Sequence, residues 1–428
     1  MIALMTQIVV VWLAAIMVGF PLFASMGLAA FAFTIFGGMS DSIVAQKIAQ
    51  TANSFPLLAA PLFILMGNIL NSAGITQRIF DFATAVVGWM RGGLCHANII
   101  ASVIFSGMSG SAVADAAGVG TIEIKAMKDE GYDAETAAAI TAASATIGPI
   151  IPPSLPMVIY GVTADVSIGG LFLAGVVPGL LMAASLMAMV TVVARRRNLP
   201  RHKFPGIIGV WKAFLAAFWA LMAPVVLFGG MMSGYFTATE AAAVAACYAL
   251  FLGLVVYRDF DLRELPKIIV DTVETSGVVF ALVMCAGALG WCMSISRVPQ
   301  TLAPLIVDNI SSPLMFLFVC NLILLAVGCF MEVLAAMLIL IPILVPASIA
   351  YGIDPLHFGL MFVFNLILGT IHPPIGVVLF VTSKIAGISF EAMSRAVLPW
   401  LVPLLLTLVA ITVWPPLTTA LPHWVMGR

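Results

Sequence analysis

Ala145–Gly161 reads ATIGPIIPPSLPMVIYG, with Gly148, Pro149, Pro152, Pro153 and Pro156 inside a long apolar stretch. Each proline removes a backbone donor and its ring clashes with the preceding turn, so this density breaks a helix. Within a bilayer, broken backbone persists only where protein buries it or where it lines a polar cavity. A helix broken at membrane depth is therefore a candidate ion or substrate site.

The pattern returns at Leu368–Gly376, LGTIHPPIG. Gly148 stands to Pro152–Pro153 as Gly369 stands to Pro373–Pro374, an offset of 221 residues (369 minus 148). Without gaps, the same offset carries Gly107 onto Gly328, Ser144 onto Asn365 and Pro178 onto Pro399. Two homologous halves are expected, each with one broken helix.

Hydrophobic residues make up 62% of the 428 and charged residues only 9%, against about 25% charged in soluble domains. This is the composition of an all-α polytopic membrane protein. No basic stripe or tail marks a nucleic-acid footprint. The six cysteines lie in apolar stretches without a CxxC pair, as buried free thiols do. The N-terminus lacks a basic n-region and a cleavage site, so no signal peptide is assigned.

A spanning helix needs about 20 apolar residues. In the first half (1–194), Ile8–Phe20 and Leu22–Phe36 are expected as two spans around Pro21, Asp41–Asn53 as a loop and Ser54–Asn71 as a span. Ile75–Met90 is amphipathic and suits the interface. The segment 94–127 has small polar residues at its centre, Ser106, Gly107, Ser109, Gly110 and Ser111, and reads as a re-entrant hairpin with tip SGMSGS. The broken helix covers 134–163, and Ile168–Ala194 spans.

A basic linker, 195–212, carries Arg195, Arg196, Arg197, Arg201, His202 and Lys203. The second half (213–428) opens with spans Ala213–Met232, Ala238–Tyr257 and Ile268–Gly290, then an interfacial arm, Trp291–Ser312. A second hairpin at 313–350, a broken helix at 357–383 and a last span at Leu398–Val413 follow. Ten spans and two hairpins result. With the linker in the cytoplasm, only Lys47, Arg297 and Arg428 of the 18 Lys and Arg lie outside, as the positive-inside rule requires. The hairpins then open to opposite sides and the repeats are inverted, as in many secondary transporters.

The small polar tip at Ser106–Ser111 reads either as carbonyls and hydroxyls for a cation or as close helix packing. Glu332 falls where Ser111 falls in the first half; a carboxylate at that depth is functional by default, as a cation ligand, a substrate acceptor or a proton carrier, or else is neutralised in place. His372, beside the second break, is a ligand or a satisfied hydrogen-bonding group. Ser144 and Asn365 sit one turn before the breaks. Thr237 and Glu240 form a capping box. Asp115, Glu123 and Lys125 are expected to face water. No HExxH, Walker loop or strand-borne GxGxxG occurs. GMSG at Gly107–Gly110 resembles the serine motif of intramembrane proteases, which would need His96 or His372 as base.

The runs AMKDEGYDAETAAAITAASATIGPIIPPS, TATEAAAVAACYAL, GIDPLHFG and FSGMSGSAVAD resemble the large membrane subunit of tripartite ATP-independent periplasmic (TRAP) transporters over nearly the whole chain. The resemblance implies a bacterial inner-membrane symporter, driven by sodium, for organic acids such as C4-dicarboxylates, sugar acids or keto acids. It implies two partners besides membrane lipids, a soluble periplasmic substrate-binding protein and a small membrane subunit of about four helices, separate from this chain. It also implies an elevator-type mechanism in which hairpin tips and breaks hold sodium beside the substrate. Carried over, Ser106, Gly107, Ser109, Ser111 and Gly148 form the first cation site; Gly328, Glu332, Gly369 and His372 form the second. Ser109, Gly110, Pro152, Pro153, Pro373 and Pro374 border the substrate. No catalytic residue, cofactor or transition metal is implied. Glu332 and His372 stand where the family often has Asp and usually Thr. The alternatives are a stand-alone sodium-coupled di- or tricarboxylate elevator symporter and, more remotely, an intramembrane serine protease.

Overall fold

The computed structural model describes residues 2–40, 42–298, 301, 306, 308, 310 and 312–427; the side chains of Met17 and of 107–109 lie outside that description. The described residues contain helices and turns and no strand.

Two helices, α1 (Ile2–Met17) and α2 (Leu22–Phe36), are separated at Pro21, as expected. At 16 and 15 residues each rises only about 23 Å, short of a hydrocarbon core of about 30 Å. The stretch expected as a loop is instead α3 (Ser42–Ala52). Its polar residues concealed an amphipathic helix, which packs on α2 and on α14 (Leu265–Ile295). Then come α4 (Ala59–Ser72) and α5 (Ile75–Val87). The latter is not merely interfacial. Its apolar face, Ile79, Phe80 and Ala83, is buried against α6 (Gly93–Ser109) and α12 (Gly206–Met232). With α13 (Ala238–Phe251) lying on α4, helices α2–α5 and α12–α14 pack together as one body, with α6 lying on it through α5. The capping box is present: Thr237 N and Oγ1 donate to Glu240 at 2.7 and 2.8 Å, and Glu240 N donates back to Thr237 Oγ1 at 3.3 Å.

The first hairpin pairs α6 with α7 (Ala112–Ala117) and α8 (Val119–Asp129). It doubles back fully, since Cys95 Sγ near the start of α6 lies 3.9 Å from Met127 Sδ near the end of α8. The second pairs α15 (Pro313–Phe330) with α16 (Val333–Ala350). Its open end is closed by the Phe316 and Tyr351 rings, stacked 4.7 Å apart. The first broken helix is α9 (Ala134–Ala145) and α10 (Leu155–Ala164); the second is α17 (Pro355–Gly369) and α18 (Val377–Ala386). α6 and α15 end, and α7 and α16 begin, 221 residues apart (330 minus 109, 333 minus 112). Pro152–Pro153 and Pro373–Pro374 are both cis.

Each half closes with a long helix, α11 (Ile168–Arg197) and α19 (Phe390–Val413). A terminal helix the sequence reading did not include, α20 (Pro416–Met426), packs on α11. The interfacial arm 291–312 begins instead as helix, since α14 runs to Ile295; most of its remainder lies outside the described residues. Eight described segments, including both arms of the second hairpin, are long and apolar enough to cross a membrane, against ten expected spans that counted α1, α2 and the two broken helices. The charged loops meet at one end of the bundle. Arg197 Nη1 reaches Asp133 Oδ2 at 3.1 Å, His202 Nε2 reaches Glu130 Oε2 at 2.6 Å, and His202 N donates to Gly88 O at 3.0 Å.

Candidate functional site

Both hairpin tips end in a capped turn. A helix start leaves backbone N–H groups without partners, and a side-chain oxygen at the preceding residue accepts one or two of them. Ser111 does this for α7, accepting from Ala114 N at 3.4 Å. Glu332 does it for α16, its Oε2 accepting from Leu334 N at 2.8 Å and Ala335 N at 3.1 Å. The residues paired by the 221 offset therefore do the same local work. The turn before Ser111 is made by Gly110, whose φ of +62° suits glycine.

Each tip packs on the break of its own half, and glycines allow the approach. A Cβ on Gly110 would sit 2.9 Å from Pro153 O. A Cβ on Gly369 would sit 2.5 Å from Gly328 Cα, and one on Gly148 would run into Asp115 Oδ2. Ser154 holds the first break open by donating to Pro149 O at 2.5 Å while capping α10 through Met157 N at 3.3 Å. Gly376 N donates to Cys329 O at 3.3 Å across the second.

The two tips converge on one cavity of about 190 Å³. Gly110, Ser111, Pro149 and Pro156 line it from the first half, and Glu332, Ile367 and Thr370 from the second. Thr275 and Val279 of α14 close it from the other body. Of the expected substrate neighbours, Gly110 lines this cavity, whereas Pro152, Pro153, Pro373 and Pro374 are not among its lining residues. Glu332 lines it too. Ser106 is buried and donates to Val103 O at 2.5 Å. The side chains at Gly107 and Ser109 lie outside the described residues. His372 Nδ1 faces Cys329 Sγ at 3.2 Å and Pro373 O at 2.6 Å.

Asp115 and Glu123 do not face water; they are 3% and 1% exposed. α7 and α8 bury them because α9 and α18 lie across the return arm. Their misplacement follows from neighbouring Lys125, Lys128 and Asp129, which look like a solvated helix face in sequence. Thr275 was also missed. Its signal is the polar run Asp271, Thr272, Glu274, Thr275 and Ser276 inside a largely apolar 31-residue helix. Asn98, one of the few amides in the hairpin arms, was passed over as well. It donates to Thr141 Oγ1 at 2.8 Å and accepts from Ser144 Oγ.

All-helical architecture, eight segments long enough to cross and paired helix breaks at an internal cavity define a multi-pass membrane protein of the transporter type. Residues 9–417 match the family described as the tripartite ATP-independent periplasmic transporter, DctM component, and the chain belongs to that family. It is 45% identical to the sialic acid TRAP transporter large permease protein SiaM of Vibrio cholerae, over 97% of this chain and 98% of that protein. It is 40% identical to the C4-dicarboxylate TRAP transporter large permease protein DctM of Pseudomonas aeruginosa, over 94% of each. Its fold is similar to the crystal structure of the Alcanivorax borkumensis YdaH transporter, with a TM-score of 0.66 at 14% identity, covering 88% of each chain. The chain is thus a permease subunit of a TRAP transporter and not an enzyme.

Proposed function

We propose that this chain is the membrane-embedded translocation subunit for sodium-coupled uptake of a carboxylate substrate across the bacterial inner membrane. A periplasmic binding protein delivers the substrate, and a small membrane subunit completes the assembly. The observation that carries this reading is the convergence of the Ser111 and Glu332 caps on one cavity beside both helix breaks.

Sodium is a hard cation that prefers oxygen. Unwound backbone after α9 and α17 offers carbonyls, and Ser106, Ser111 and Glu332 offer further oxygens near them. In this proposal Ser106, Gly107, Ser109, Ser111 and Gly148 hold one ion, and Gly328, Glu332, Gly369 and the carbonyls around His372 hold the other. The N-terminus of α10 carries partial positive charge toward the cavity and suits an anion, while that of α16 is already capped by the Glu332 carboxylate. Bound sodium offsets the Glu332 charge, so that a carboxylate enters only with its coupling ions. The halves 1–194 and 213–428 act as inverted repeats. The hairpins and broken helices move as a unit against the body of α2–α5 and α12–α14, which is the elevator form of alternating access.

Uptake into proteoliposomes holding this chain and its small subunit tests the proposal. Labelled organic acid is offered with and without a sodium gradient and with and without the cognate binding protein. Uptake that needs both is expected. Uptake without the binding protein would point to a stand-alone symporter, and uptake driven by a proton gradient alone would overturn the sodium assignment.

A further inference from the structure

We infer that the groove between α5 and the start of α12 binds an anionic phospholipid of the cytoplasmic leaflet, with an acyl chain in the groove and the headgroup phosphate on the basic residues at its rim. The inference does not depend on what the chain transports.

The groove has a volume of about 420 Å³. Phe82 and Val86 of α5, Phe204 of the linker, and Ile207, Trp211 and Phe214 of α12 line it, and no charged residue does. Its walls brace one another. Trp211 stacks on Phe214 at 5.3 Å between ring centroids, Phe82 packs on Phe214 at 5.9 Å, and Phe204 meets Trp89 edge-on at 6.3 Å. The cleft is therefore formed before anything enters it, as ligand sites usually are. Phe204, Ile207 and Trp211 are exposed.

The groove lies at headgroup depth, because α5 runs along one end of the bundle rather than through it. At its start Arg78 Nη2 reaches Asp259 Oδ2 at 2.6 Å, and past its end Gly88 O accepts from His202 N at 3.0 Å. Asp259 belongs to the charged connection after α13 and His202 to the basic linker, and the positive-inside rule puts both in the cytoplasm. Trp89 and Trp211 beside the groove match the aromatic belt of that level.

The rim is cationic. Lys203 adjoins Phe204, and Lys212 adjoins Trp211. Arg91 and Arg201 are drawn together by the backbone, since Gly92 N, one residue from Arg91, donates at 3.0 Å to Pro200 O, one residue from Arg201. All four are exposed, and none pairs with a carboxylate among the described residues. The nearby acids Glu130 and Asp133 are already engaged by His202 and Arg197. A lipid phosphodiester supplies the missing negative charge. The cytoplasmic leaflet is anionic, and each Lys or Arg held at its surface gains about fivefold in binding. Charge also disfavours a protein in the groove. The cytoplasmic ends of a partner's spans are basic by the same rule and would meet this rim with like charge.

The test uses this chain assembled with its small subunit in detergent. Phosphatidylglycerol and phosphatidylcholine with the same acyl chains are titrated in turn, and bound lipid is counted by native mass spectrometry. One phosphatidylglycerol per chain is expected, held at least tenfold more tightly than phosphatidylcholine. Lys203→Gln/Lys212→Gln is expected to cut that preference at least fivefold, and Trp211→Ala to weaken both lipids alike. Arg297→Gln, beyond the far end of α14, is expected to change neither. Melting temperatures check that each variant folds. Equal affinity for the two lipids overturns the inference. So does a preference that survives Lys203→Gln/Lys212→Gln, or that falls as far in Arg297→Gln. Displacement of the lipid by inorganic phosphate would reduce the site to an anion patch and remove the acyl groove. A benzophenone residue in place of Ile207 is expected to capture lipid on illumination; capture of the small subunit instead would put a protein helix in the groove and overturn the inference.

Discussion

Asn365 donates its side-chain amide to Asn321 Oδ1 at 2.7 Å, tying the last turn before the second break to the first arm of the second hairpin. Asn321 donates onward to Thr412 Oγ1 at 2.8 Å, on the long closing helix. The first half makes the hairpin-to-break link with different residues. There Ser144 donates to Asn98, which donates to Thr141. In both halves a polar residue one turn ahead of the break ties that turn to the hairpin beside it.

Removing one member of such a buried pair leaves its partner unsatisfied, at about 1–3 kcal/mol. Asn365→Leu is therefore expected to lower the melting temperature clearly. The double variant Asn321→Leu/Asn365→Leu is expected to cost less than the two single changes added together. A thermal-shift double-mutant cycle checks this, and simple additivity would remove the pair's structural role.

Gly369 and Gly328 touch through backbone. A methyl group on Gly369 has no room, and overpacking costs about 1–3 kcal/mol. Gly369→Ala is expected to reduce uptake at least tenfold by prising the tip from the break. Gly229, inside α12, has open space around it. Gly229→Ala is expected to be neutral or to stabilise by about 0.5–1 kcal/mol. Equal losses from the two variants in parallel uptake assays would show that contact between tip and break is not what matters.

Glu332 combines a helix cap with a carboxyl group at the cavity. Glu332→Asp keeps both and is expected to retain most uptake. Glu332→Gln keeps an acceptor oxygen but loses the charge, and is expected to raise the sodium concentration for half-maximal uptake at least tenfold. Ser111→Ala removes a cap, worth about 0.5–2 kcal/mol, together with an oxygen assigned to the other ion. Sodium titrations of uptake separate these, and an unchanged sodium response in Glu332→Gln would assign the carboxylate to capping alone.

At the charged end of the bundle, Asp133 caps α9 and pairs with Arg197. Burial pushes its carboxyl up, but hydrogen bonds from Thr136 and the Arg197 guanidinium outweigh that and hold it below its ordinary value. A depressed carboxyl contributes stability above its unfolded pKa of about 3.9, and that contribution is lost as pH falls through the lower folded value. Both side chains are about half exposed, so the pair is worth under about 1 kcal/mol. Asp133→Asn keeps the cap. It is expected to melt slightly below the wild type at neutral pH and level with it at the acid end. A gap that persists in acid would contradict the linkage.

The breaks were legible because proline and glycine act locally, and the 221 offset located both hairpin tips before any contact was known. The helices α3 and α20 were not legible. SIVAQKIAQTA has no apolar run, and α20 follows a Trp–Pro–Pro stop, so both take their stability from packing on distant helices. Burial of Asp115 and Glu123 depends on α9 and α18 crossing the return arm, which charge spacing along α8 cannot reveal. The Cys329–His372 contact likewise exists only through the close approach of Gly328 and Gly369.

Binding of radioactive sodium to the purified subunit pair tests most directly whether the breaks hold the coupling ions. Wild-type protein is expected to bind at least two ions per chain saturably, with Gly148→Ala and Gly369→Ala each losing about one and Gly229→Ala losing none. Full sodium binding by both break variants would contradict the placement of the ions at the paired breaks.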